Sequence, residues 1–356
     1  MSRPLSVASS GLVCSVGHDS LEVYASVRAG AARFQRTHLM GQAGPIVAAP
    51  ALPVSPDCEG LERAHALSEQ AFRSALEPFS ARLNGAKVGL VATASSLGFA
   101  DAKVLPPFIA ERLRSLRQAW SQIPILAKIV LEDAGCIISE RAMCLVREGH
   151  AGGLMGIRMA SELAARFELD LILVVSIASH CERFQLEALD GFGLARSEAS
   201  SEGWIPSEAA AVLVLEPAST ETVHVVAAFA REPPGNRLET RGVALGTAIE
   251  RALDDSGVRA TDIAEVWSDQ NGERWRAHEW ARGATRSLGV HGASPPVVHP
   301  ADVLGDLGGA MGTTLAILGS LAARELGRPV LVTASSHRRF RSAAVIHPPG
   351  RGGKEP

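Results

Sequence analysis

Two nearly unbroken apolar runs constrain this chain most: Leu169 to Ile177 (LDLILVVSI) and Ala209 to Leu215 (AAAVLVL). A strand with water on one face alternates apolar and polar residues. Runs that hardly alternate have both faces covered, as strands inside layered sheets do. Other strand-like runs are Leu5 to Val13, Lys87 to Thr93, Ala142 to Val146, Val223 to Ala230, Ile263 to Trp267, Val330 to Thr333 and Ala343 to Ile346. Between them lie helical patterns: Leu21 to Ala29 ending at Gly30, Leu61 to Leu76, Ile125 to Ala134, Gly149 to Phe167 and Val243 to Ser256. Strands alternating with helices predict a layered α/β fold. The order of elements is similar before and after Pro217, without a residue-level repeat. Linker-like segments are Gln42 to Cys58, the turn-rich Ser95-Ser96-Leu97-Gly98 after the Lys87 strand, and Arg231 to Asn236. The tail GRGGKEP is expected to be disordered.

Composition removes several classes of function. The 356 residues are 46% hydrophobic, enough for a large core, and the net charge is −3. No basic excess calls for nucleic acid, and 4% aromatics leaves little for stacking bases. The five cysteines are odd in number and free of CxxC spacing. They predict neither a disulfide framework nor a zinc site, and they fit a reducing cytoplasm. No cofactor and no metal are expected. The N-terminal segment lacks the continuous apolar stretch of a secretory signal. The run Leu304 to Ala323 is nearly long enough to span a bilayer, but it contains Asp306, and small residues fill its first half. We read it as one buried helix of an α/β protein rather than a membrane span.

Six segments, in order, resemble β-ketoacyl synthases. Ser9 to Phe34 is similar to the family's opening strand, turn and helix. IPILAKIVLEDAGCIISERAMCL resembles the lead-in to the nucleophile strand, and GHAGGLMGIRMASELAARFELDLILVVSIAS the nucleophile helix with its following strand. GWIPSEAAAVLVLE is similar to the family's glycine, acid and alanine-rich strand. The stretch from Gly246 to Gly289 resembles the part that carries the first catalytic histidine, and LGDLGGAMGTTLAILGSLA the part that carries the second. The resemblance implies a thiolase fold, in which two fused βαβαβαββ halves form five layers (α-β-α-β-α). The halves are expected at 1–217 and 218–348, with 349–356 as tail. It also implies a dimer, with the dimer strand near Leu169 to Ile177.

At the catalytic positions the sequence departs from the pattern. Condensation needs a thiolate at a helix N-terminus and two histidines that assist decarboxylation and hold the enolate oxygen. Aligning Gly152 with the family's glycine puts Gly149 at the nucleophile; an offset of one puts His150 or Glu148 there. Asn271 stands at the first histidine position, and Asp306, after Gly305, at the second. In place of the late glycine-rich loop stands Ser335-Ser336-His337-Arg338-Arg339-Phe340-Arg341.

Each candidate has a plainer reading. Cys144, five residues before Gly149, is a relocated nucleophile or, preferably, a buried apolar cysteine. Glu148 and His150 form either an acid/base pair or ordinary polarity at a helix start. For Asp306, capping of the long helix is preferred to catalysis. The Asn271-Gly272 dipeptide is explained by a turn, and Glu208 is read as structural. Arg338, Arg339 and Arg341 are phosphate contacts or, preferably, a solvated loop. His180 and Cys181 resemble a metal pair without further ligands. Trp275 and Trp280, beside Arg274 and Arg276, are an interface patch or interlayer packing.

Three functions follow. The leading one is a ketosynthase-like protein without condensing activity. It would act as partner or scaffold in a fatty-acid, polyketide or other bacterial assembly, as chain length factors do. It would form a homodimer or a heterodimer with an intact ketosynthase, with an acyl carrier protein as a further partner. The second is an acyltransferase or hydrolase built around Glu148 and His150. The third is a ligand-binding module, which requires an apolar cavity beside Gly149.

Overall fold

The computed structural model describes residues 5–51, 54–55, 57–94, 106–197, 203–217, 222–232 and 241–350. In chain order the elements are β1 (Leu5–Cys14), α1 (Ser20–Ala29), β2 (Gln35–Gly41), β3 (Gly44–Ala48), α2 (Gly60–Leu76) and β4 (Lys87–Thr93). Next come α3 (Pro107–Trp120), α4 (Ile123–Asp133), β5 (Ile137–Val146), α5 (Gly149–Arg166), β6 (Leu171–Ser179), α6 (Arg183–Gly191) and β7 (Glu208–Pro217). The remainder is β8 (His224–Arg231), α7 (Val243–Ser256), β9 (Glu265–Ser268), α8 (Arg274–Ser287), β10 (Val297–Val298), α9 (Ala301–Leu304), α10 (Met311–Leu326), β11 (Val330–Ser335) and β12 (Phe340–His347).

The strands form one ten-stranded order, β10-β9-β11-β12-β8-β1-β7-β6-β4-β5, beside the small β2–β3 hairpin. Read outward from its middle, each side has the same pattern. β1 pairs antiparallel with β7, β7 antiparallel with β6, and β6 and β5 both run parallel to β4. Likewise β8 pairs antiparallel with β12, β12 antiparallel with β11, and β11 and β10 both run parallel to β9. The sides meet at a seam of only two residue pairs, Leu5–Val225 and Ser6–His224.

The core divides accordingly. The central cluster joins Leu154 and Ile157 of α5 and Leu315 and Ile317 of α10 to Val174 on one sheet side and to Val332 and Ile346 on the other. An outer cluster packs Leu67 and Phe72 of α2, Leu113 of α3 and Leu131 of α4 on β4, β6 and β7. A second outer cluster packs Leu245 and Ile249 of α7, with Trp280 of α8, on Leu331 and Val345. Helix, sheet, helix, sheet, helix: this is the five-layer thiolase fold. β6 is buried at every position and flanked by β4 and β7, as its nearly unbroken apolar run requires.

The structure corrects several expectations. β6 has no free edge, so it is not the dimer strand; the open edge of that side belongs to β5, which extends five residues upstream of the expected Ala142 start. The run Leu304 to Ala323 is not one helix. α9 ends at Leu304, Gly305 takes φ 73° and ψ −168°, and α10 begins at Met311. No helix among the described residues is long and apolar enough to cross a membrane. The Gln42 to Cys58 segment contains β3, and α3 and α6 were not anticipated. The Ser95 to Gly98 turn, residues 233–236 of the second linker and residues 351–356 of the tail lie outside the described residues.

Candidate functional site

Five chain segments meet where α5 begins. His150, the second residue of α5, is only 2% exposed. Its Nδ1 lies 3.0 Å from Oδ2 of Asp269, just past β9, and its Nε2 lies 3.1 Å from Asp306, between α9 and α10. A neutral imidazole has one N–H and cannot donate to both carboxylates. Burial and Arg276 oppose the charged ring, but the two carboxylates outweigh them and lift the His150 pKa to about 8. His150 is therefore an imidazolium at neutral pH, with no lone pair to accept a proton or attack carbon.

Asp306 is saturated in the same way. Besides His150 it accepts from Asn271 Nδ2 at 2.5 Å and from the Gly308 N–H at 2.9 Å, and His180 Nε2 stands 3.4 Å from Oδ1. Burial disfavours its charge, yet His150 and His180 hold it well below the usual carboxylate range. Its backbone is stitched to the segment just before β7, donating to Ile205 O and accepting from Ser207 N. Gly305 makes that approach possible: a Cβ there would sit 2.7 Å from Ile205 O, at a φ that other residues avoid.

Arg276 in the first turn of α8 closes the other side. It donates to Asp269 Oδ2 (2.5 Å), Ser335 O (2.6 Å) and Glu273 Oε2 (2.8 Å). Asp269 also accepts from Ser335 N at 2.8 Å. Burial works against its charge, but Arg276 and His150 keep it ionised. Burial also opposes the charge of Glu273, but Arg276 and His337, whose Nε2 lies 3.0 Å away, hold it below the usual carboxylate range. The set thus holds three carboxylates against the Arg276 guanidinium and the His150 imidazolium.

A cleft of about 580 Å³ reaches this cluster from outside. Asn271, Glu273 and Asp306 of the cluster line it, together with Trp204, Ile205, Trp275, Arg196 and Arg274. Neither Gly149 nor His150 lines it.

Of the sequence candidates, His150, Asn271 and Asp306 converge. Gly149 does not present a group: it turns the chain into α5 at φ 49° and has no side chain. Glu148 does not pair with His150; its carboxylate reaches Ser336 Oγ at 3.5 Å. Asp306 does not cap α10, whose N-cap is Ala310; it caps only the short turn at Gly308. Arg341 is not available to a phosphate. It is 2% exposed and tied to Glu279 Oε1 at 2.7 Å, while Arg338 and Arg339 are exposed. Cys144 is half-buried in β5, and burial pushes its thiol up to about 11, as a structural cysteine requires. His180 pairs with Asp306 and Gln185, and no cluster that could hold a metal occurs among the described residues. Glu208 accepts from Arg63 and from Ala51 N, a structural role. Trp275 and Trp280 do not form one patch: Trp275 is buried in the cleft wall and Trp280 packs in the outer core. The sequence reading missed Asp269, Glu273, Arg276 and His337. The one local signal was the Glu273–Arg276 spacing at a helix start.

No family model and no curated protein match this chain. Solved structures do. The ishigamide ketosynthase/chain length factor superposes with a TM-score of 0.74 at 18% identity, covering 98% of this chain and 100% of that one. AntDE:AntF, described as a type II PKS acyl-carrier protein in complex with its ketosynthase bound to the hexaketide, gives 0.75 at 14%, covering 98% and 100%. The PfaC keto synthase–chain length factor gives 0.75 at 12%, covering all of this chain and 44% of that one. The chain has the fold of ketosynthases and chain length factors over its whole length.

Proposed function

We propose that this chain is a ketosynthase-like protein without condensing activity that serves as the partner subunit of an intact ketosynthase, in the manner of a chain length factor. One observation carries the proposal. At the start of α5, next to Gly149, which the sequence sets at the family's nucleophile position, stands His150, sealed between Asp269 and Asp306 and protonated at neutral pH. An imidazolium with both N–H groups engaged is neither nucleophile nor base. Asn271 and Asp306, at the two histidine positions, are consumed in holding it. The same saturation argues against an acyltransferase or hydrolase built on Glu148 and His150.

The partner role is supported by the open outer edge of β5 and by three exposed isoleucines beside it. Ile125 and Ile129 of α4 and Ile137 at the start of β5 are 53%, 50% and 58% exposed. Isoleucines left in water next to an unpaired edge strand fit a protein interface. We place the boundary between the two halves at 217/218 and the complex in the cytoplasm. Arg338 and Arg339 remain the groups for a phosphate on an acyl carrier protein.

The test is intact-protein mass spectrometry after incubation with acyl-CoA and acyl carrier donors, with size-exclusion chromatography against a ketosynthase encoded nearby. No adduct together with co-elution is the expected result. A stable acyl adduct would overturn the reading. A second reading, a ligand-binding module, would use the cleft at Asn271 and Trp275 rather than the apolar cavity expected beside Gly149, which does not line it. Saturable binding of acyl-pantetheine, lost on Trp275→Ala, would support it.

A further inference from the structure

We infer that the His150 cluster is a proton-operated catch on the wall of the cleft. While both ring nitrogens carry protons it ties α5 to Asp269 and Asp306. Loss of the Nδ1 proton unties α5 from Asp269 and loosens the Asp269 to Trp275 segment, which keeps its bonds to Arg276, Ser335 and Asp306. This goes beyond the partner role and does not rest on it.

His150 bridges segments that are otherwise remote: Asp269 is 119 residues away in sequence and Asp306 is 156. Every charged or titratable group packed around the ring enters. Asp269 and Arg276 come from the β9–α8 side, with Glu273 behind Arg276. Asp306 comes from the segment before α10, and His180 from the end of β6. His337, in the β11–β12 turn, lies edge-on to the His150 ring at 6.1 Å and is bonded to Glu273. Glu148, the neighbour on the chain, is turned to Ser336.

When the ring loses one proton, a nitrogen lone pair must face a carboxylate at about 3 Å. The remaining N–H stays with the carboxylate that has less positive charge beside it. Asp269 keeps Arg276 at 2.5 Å, whereas Asp306 has no guanidinium contact, so the retained proton is on Nε2. The contact that fails joins Nδ1 to Asp269. Asp269 opens the stretch that supplies Asn271, Gly272, Glu273, Arg274 and Trp275 to the cleft. The side-chain tie between α5 and that wall is thereby lost. The balance of charges sets the transition near pH 8.

Hydrogen–deuterium exchange of peptides spanning 268–276, corrected for intrinsic rates, reads the catch directly. Protection in the native protein is expected to fall about tenfold between pH 7 and pH 9, with a midpoint near 8. In His150→Gln, protection should be low and flat with pH. Flat protection in the native protein, or the same transition in His150→Gln, overturns the inference. Should His150→Gln fail to fold, an NMR titration of the native His150 ring decides. An inflection near 8 that coincides with the loss of protection is expected, and a ring already neutral at pH 7 refutes it.

Discussion

Gly153 of α5 lies directly against Thr313 of α10: a Cβ on Gly153 would stand 2.2 Å from the Thr313 backbone nitrogen. Gly312 answers it, since a Cβ there would meet His150 O at 2.4 Å. The two central helices therefore touch backbone to backbone, and this contact sets how close the start of α5 comes to Asp306. The obstacle is backbone on both sides, so neither helix can yield locally. Gly153→Ala is expected to destabilise the protein by about 3 kcal/mol and to lower its urea midpoint. Gly156→Ala, where a Cβ would meet only side chains at 3.1 Å and beyond, should cost less. Equal midpoints for the two variants would contradict this account of the crossing.

Arg63 and Glu208 form a buried pair, at 2.6 Å from Nε to Oε2 and 2.8 Å from Nη2 to Oε1, with both side chains at 2% exposure or less. Glu208 also accepts from Ala51 N. Removing one member strands a charge in the core. Glu208→Gln and Arg63→Met are each expected to cost about 3–5 kcal/mol, and the double variant less than their sum. Additive losses in a double-mutant cycle would show that the two side chains act independently.

His224 and His347 stack at the strand ends of β8 and β12, with ring centroids 4.0 Å apart and His347 Nε2 buried without a partner. Burial lowers both pKa values, that of His347 to about 4, with His224 adding to the effect. The folded value lies below the unfolded one, so protonation favours the unfolded chain. The penalty is absent above about pH 6.5, grows as pH falls below that, and levels off near pH 4. Between pH 7 and pH 4.5, His347→Phe should lose less stability than the native protein in paired urea titrations. Parallel losses would remove His347 from the acid sensitivity of the fold.

How much of this was legible in sequence depends on where each residue's neighbours lie. Lys87–Thr93 and Val243–Ser256 emerge with the expected bounds because strong local periodicity is reinforced by burial. The β2–β3 hairpin and α6 escaped because their pattern is shallow, whereas α3 escaped although it buries Ile109, Leu113, Leu116 and Trp120 along one face. β2 alternates only between exposed and half-buried, and α6 is nine residues long. The break at Gly305 escaped because composition shows a continuous small, apolar run, while the bend arises from the backbone pairing of Asp306 with Ile205. At the site, Asn271 and Asp306 were singled out by position in a motif, and the structure brings them together beside His150. The nucleophile position stayed open between Gly149 and its neighbours Glu148 and His150, because a one-residue offset in a glycine-rich run is invisible in sequence. Asp269 and Arg276 were missed because they matter only through His150, more than a hundred residues away.

The site's electrostatics can be tested by putting a thiol back. His150→Cys places a cysteine at the start of α5 between two carboxylates, Asp269 and Asp306, that are ionised in the native cluster. Neighbouring negative charge and burial both raise a thiol's pKa, opposing the help of the helix N-terminus. Site-mapped iodoacetamide labelling of Cys at that position should therefore be slow at pH 7. Adding Asn271→His and Asp306→His removes one carboxylate and supplies two imidazoles. That change should lower the thiol pKa by at least about one unit and speed labelling about tenfold. If the single variant already labels as fast as the triple, the anionic wall around position 150 is not what silences a nucleophile there. The proposed absence of condensing activity would then rest on the missing sulfur alone.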